Sequence, residues 1–164
     1  MKNLILIFVS LISLNAIAQT EMVLFNEFTQ KFASNIELSE KYIIKNYINP
    51  KFLCSDFNGD GEKDIAVLVI SKSNNKRGFV VMHGQTKATY VVGAGVVYDS
   101  ADDWDDMNWV DKWEINTIRV NEPGIQEGDN LRLEYDSIRI TKDEIGGGLI
   151  YWNGEKYDYF HQTC

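Results

Sequence analysis

The sequence predicts an α+β domain with two N-terminal helices packed on an antiparallel meander sheet and an acidic loop at one strand–strand connection. Three observations carry this. Apolar residues recur at helical spacing near the N-terminus; a β-branched run, Ile65-Ala66-Val67-Leu68-Val69-Ile70, is followed by shorter apolar runs separated by polar turns; and Asn153-Gly154 sits between two aromatic-rich strand segments.

From Glu21 to about Ala33, Leu24, Phe25, Phe28 and Phe32 line one face, with Glu27, Gln30 and Lys31 between them. Ser39 is placed to cap a second, shorter helix through about Tyr47. Its Tyr42, Ile43, Tyr47 and Ile48 would face a core, and Asn49-Pro50 stops it. Lys51 to Ser55 reads as a short strand. The run from Ile65 to Ile70 reads as a central strand covered on both faces, since it does not alternate. Phe79 to Met82 and Ala88 to Val92 should pair back in turn, after polar turns at Ser73 to Gly78 and Gly84 to Lys87. Gly93-Ala94-Gly95 is read as a bulge or bend, because the third glycine of a dinucleotide fingerprint would fall at Tyr98 and no helix follows. Leu131 to Tyr135 and Ile138 to Thr141 are expected to form a hairpin around Asp136-Ser137. Asn153-Gly154 is expected to make a type I′ hairpin that closes the sheet.

The acidic loop is Asp56-Phe57-Asn58-Gly59-Asp60-Gly61-Glu62-Lys63-Asp64, between two strand-like runs. Oxygen-bearing side chains at alternate positions of a tight Gly-containing turn suit a hard cation such as Ca²⁺, which takes six to eight oxygen ligands. Asp56, Asn58, Asp60 and Asp64 would supply side-chain oxygens and Glu62 its backbone carbonyl. Carboxylates held about 4 to 5 Å apart repel by roughly 3 to 4 kcal/mol per contact at an effective dielectric near 20, so the loop needs a positive centre. Gly61 is placed to take the positive φ of a sharp turn, and Gly59 keeps the neighbouring backbone uncrowded. An EF-hand would carry glutamate at loop position 12, where this chain has Val67.

The pattern D-x-N-x-D-G-x-x-D followed by Ile-Ala-Val-Leu-Val resembles the calcium loop of FG-GAP/VCBS, or integrin-type, repeat proteins over roughly residues 52 to 70. In that family the loop joins two antiparallel strands and its Ca²⁺ stiffens the connection. The family presents several such loops in a multi-bladed propeller. This chain carries one, so the resemblance implies the loop and its ion.

Residues 1–18 have the form of a secretory signal peptide: Lys2, an apolar stretch from Leu4 to Leu14, and Ala16-Ile17-Ala18 as the cleavage site. The expectation is a secreted or periplasmic protein, with residues 19–164 as a single globular domain and no membrane span after cleavage. The net charge of −8, which becomes more negative without Lys2, argues against nucleic acid as a partner. A calcium ion, a cationic protein or a carbohydrate remain open. In an exported protein Cys54 and Cys164 are expected to form a disulfide; for a loop of roughly 100 residues it would contribute about 4 to 5 kcal/mol.

The segment from Asp99 to Trp113 concentrates six aspartates and three of the four tryptophans. One reading is a recognition surface or second cation site built from Asp102, Asp103, Trp104, Asp105, Asp106 and Trp109. The other makes Trp104, Trp109 and Trp113 core anchors and the aspartates solvated. No G-x-S-x-G or H-E-x-x-H motif occurs, and His83 and His161 stand apart from any catalytic pattern, so an enzyme is not expected. The functional expectation is a calcium-binding protein with a structural Ca²⁺ site, acting as a binding or interaction module. The alternatives are an inhibitor or immunity-like protein that uses the acidic Trp-rich loop against a basic partner, and a hydrolase of an exported polymer.

Overall fold

The computed structural model describes residues 19–99, 101–125 and 128–163. The segment read as a signal peptide, and Cys164, lie outside them. The class is α+β with antiparallel sheets and two N-terminal helices. Helix α1 covers residues 19–34, and its Phe28 and Phe32 are buried while Glu27, Gln30 and Lys31 face solvent. Asn35 ends this helix and starts the next: its amide donates to the Lys31 carbonyl at 3.0 Å, and its Oδ1 accepts from the Leu38 amide at 3.2 Å. Helix α2 (Ile36–Lys41) is therefore capped by Asn35 rather than Ser39 and stops at Lys41. Tyr42–Ile44, expected to be helical, form strand β1 and pair with the far end of the central strand.

After Asn49-Pro50 the chain makes β2 (Phe52–Ser55), β3 (Asp64–Ser71), β4 (Arg77–Met82) and β5 (Thr89–Gly93). β3 lies between β4 on one side and β1 and β2, end to end, on the other, all antiparallel. Its alternate residues enter two separate cores, as its unbroken apolar run foretold. Ile65, Val67 and Val69 pack with Phe28, Phe32 and Leu38 of the helices. Ala66 and Leu68 pack with Phe79, Val81 and a second sheet. At the end of β5, Gly93, Ala94 and Gly95 all have positive φ, a sharp bend that sends the chain out of the sheet.

The second sheet is absent from the sequence expectation of a single meander. It comprises β6 (Lys112–Asn116), β9 (Ser137–Lys142), β10 (Gly146–Trp152) and β11 (Tyr157–Thr163), in the order β11-β10-β9-β6. Trp113, Ile138, Ile140, Ile150 and Tyr157 fill the space between the sheets, with the Trp113 and Phe79 rings 5.6 Å apart. The layers are thus helices, first sheet, second sheet. The expected hairpin about Asp136-Ser137 does not form. Instead β8 (Leu131–Arg132) pairs with β7 (Val120–Asn121), and β9 pairs with β6 and β10. The Asn153-Gly154 hairpin does form, but Trp152 faces Tyr157, so its loop spans residues 153–156 rather than two residues. Asn153 Oδ1 organises it by accepting from the amides of Glu155 and Lys156, each at 3.0 Å.

The expected Cys54–Cys164 disulfide involves a residue outside the described ones, and Cys54 alone can be placed. It is a free, buried thiol in the core between the first sheet and the helices. That core lies on the face of the first sheet opposite the second sheet.

Candidate functional site

The connection from β2 to β3 carries the five residues singled out as a cation loop. Asp56 Oδ1 accepts from the Gly59 amide at 2.7 Å and its Oδ2 from the Gly61 amide at 3.0 Å. Asn58 Oδ1 accepts from the Asp60 amide at 3.0 Å, and Asp60 Oδ1 from the Glu62 amide at 2.8 Å. Asn58 Nδ2 donates to Asp60 Oδ2 at 2.9 Å, whereas the Glu62 side chain is exposed. These side chain-to-backbone bonds wind the loop tightly, and Gly59 and Gly61 supply the positive φ values, +79° and +87°, that the winding requires. Phe57 anchors the loop from below, buried in the core between the sheets.

Asp64 is fully buried. Its Oδ2 accepts from the Phe57 amide and its Oδ1 from the Gly84 amide, both at 2.8 Å. Burial pushes its pKa up to about 6. The two amides oppose the shift, and the charges of Asp60 and Asp56 add to it. Among the described residues, no three His, Cys, Asp or Glu side chains stand in metal-holding geometry, because each loop carboxylate is turned onto a backbone amide. The donor chemistry still fits a hard cation: the set offers oxygens only, and an oxygen that accepts one amide keeps a second lone pair.

Several neighbours of the loop carried no signal in the sequence. The Tyr135 ring lies against Gly59, and its hydroxyl donates to the Trp152 carbonyl at 2.5 Å. The Asp136 amide donates to the Asp56 carbonyl, and the Asp136 carboxylate takes Ser55 Oγ and the Arg119 guanidinium. His83, buried next to the β4–β5 turn, shares a hydrogen bond with Tyr157 Oη at 3.0 Å. His83, Arg119, Tyr135 and Asp136 lie far from the loop in the sequence, so only the pairing of the sheets reveals them.

The Trp-rich segment divides between the two readings. Trp113 is a core residue. Asp105 forms an ion pair with Lys76, and Asp106 accepts from the Arg77 amide at 2.9 Å, so both pin the segment to β4. Asp102 and Asp103 are exposed. Trp104 and Trp109 are half-buried, with ring centroids 5.7 Å apart, and they wall a cleft of about 380 Å³ with Tyr159, His161, Lys142 and Ile145. Among the described residues, Tyr159 Oη finds no hydrogen-bond partner, and it is buried.

Comparison with family models, with curated proteins and with solved structures gives no match in any of the three.

Proposed function

We propose that the protein is an exported binding module whose β2–β3 loop holds one structural Ca²⁺. The observation that carries this reading is Asp64. A carboxylate that burial and two neighbouring carboxylates push toward protonation is a strained arrangement, and a divalent ion at the loop would relieve it. Asp56, Asn58, Asp60 and Asp64 would hold the ion by side-chain oxygens and Glu62 by its carbonyl. The ion would stiffen the joint between β2 and β3, and the resemblance to FG-GAP/VCBS calcium loops points the same way. The ion's role is structural, and binding is left to surfaces elsewhere.

The exposed pair Asp102 and Asp103 beside Trp104 favours, as a second reading, an inhibitor or immunity-like protein that meets a basic partner. Its signature is capture of a cationic protein that weakens as salt is added.

Thermal melting in calcium and in EDTA tests the first reading. At a calcium concentration a hundredfold above Kd, binding adds about 2.7 kcal/mol, a rise in Tm of roughly 5 to 10 °C for a domain of this size. Asp60→Ala should remove most of that rise. Identical melting curves in the two solutions would count against the ion.

A further inference from the structure

The second sheet has two ends. At one, Asp136, just before β9, is bonded to the acidic loop; at the other, Lys142 closes β9 beside the aromatic cleft. The cleft is therefore a separate feature, and it has a specific composition. Trp104 is its hub, with ring centroids at 5.7 Å from Trp109, 5.9 Å from Tyr159 and 6.2 Å from His161. A glycine run in β10 makes room for it. Gly146 and Gly147 line the cleft, and a Cβ at Gly148 would meet the Tyr159 ring at 2.6 Å.

We propose that this cleft binds a quaternary ammonium head group of choline type. The inference rests on the reading of the protein as a binding module and names the ligand class. Aromatic faces attract such a cation through their negative quadrupole, tryptophan most strongly, and two of these rings are tryptophans. The chain as a whole carries −8, and Asp102 and Asp103 are exposed on the loop that presents Trp104. Lys142, which lines the cleft, is paired with Asp111 at 3.0 Å. A sugar of the same size fits less well, because its hydroxyls would lose water against ring carbons with few polar atoms to receive them. The volume of about 380 Å³ lies in the range of small-molecule sites.

Tryptophan fluorescence, recorded in calcium, tests the assignment with two probes: choline chloride, against a sodium chloride control, and the neutral tert-butyl alcohol isostere of choline. The expected result is saturation by choline with affinity roughly tenfold or more above that of the isostere. Trp104→Leu should weaken choline by a similar factor, with its melting curve as the check on folding. Equal affinity for the two probes, no response to either, or saturation by a neutral oligosaccharide alone would overturn the proposal. The two-probe comparison uses the wild-type protein and stands even if the variant fails to fold. Failure here with a calcium-dependent Tm intact removes the ligand assignment and leaves the calcium reading in place.

Discussion

Asp64 Oδ1 accepts the Gly84 amide at 2.8 Å, so the residue that closes the acidic loop also fixes the turn between β4 and β5. Its other oxygen holds the Phe57 amide. Asp64→Ala would leave both amides without acceptors, one of them buried, at a cost of about 1 to 3 kcal/mol for each buried orphan. Urea unfolding in EDTA should show a loss of about 2 to 4 kcal/mol. Asp64→Asn should lose less, since it keeps one carbonyl oxygen and removes a buried charge. Wild-type stability in the alanine variant would contradict this role.

The two loop glycines should differ on substitution. Gly61 has φ +87° with nothing within 4 Å of an added Cβ, so Gly61→Ala costs only backbone strain, about 1 to 2 kcal/mol. Gly59 has φ +79°, and its added Cβ would lie 2.5 Å from Tyr135 Cδ1, on a ring held by its bond to the Trp152 carbonyl. Gly59→Ala should therefore be the more damaging by at least about 1 kcal/mol, measured by urea unfolding. The reverse order would show that Tyr135 yields freely.

Cys54 is buried, and burial pushes its thiol pKa up to about 12, so little thiolate exists at neutral pH. A thiol reagent should modify it only on unfolding. Cys164→Ser should change stability by less than about 1 kcal/mol, against about 2 to 5 kcal/mol for the loss of a native disulfide. A large drop in Tm on adding a reductant would contradict this and show the disulfide.

Burial holds the His83 imidazole below its ordinary pKa of 6.5, with the Asp60 and Asp56 charges offsetting part of the shift. The folded state thus binds a proton here less readily than the unfolded chain does. The contribution of His83 to stability is fully present above pH 6.5 and is lost as pH falls through the lower, folded value. NMR titration of the imidazole should give a midpoint below 6.5. A midpoint at or above it would contradict the burial argument.

Local chemistry was legible in the sequence and long-range pairing was not. The α1 stripe, the two-faced β3 strand, the bend at residues 93–95 and the Asn153 turn each follow from periodicity or from one residue's conformational preference. The Tyr42-Ile43 pair misled because short apolar runs fit a helix end or a strand equally, and the Asn35 cap upstream decides between them. The second sheet was missed because β9 finds its partners in β6 and β10, not in the nearby residues 131–135. The acidic loop was readable as a unit, since its own amides wind it. Tyr135, Asp136 and Gly84 were not, because they reach it only through the fold.

Calorimetric titration of calcium into EDTA-stripped, folded protein bears most directly on the central claim. The account predicts saturable uptake of one ion with Kd of about 10⁻⁴ to 10⁻³ M, and its loss in Asp60→Ala. Heats indistinguishable from dilution up to concentrations well above a millimolar, in protein shown to be folded, would contradict it.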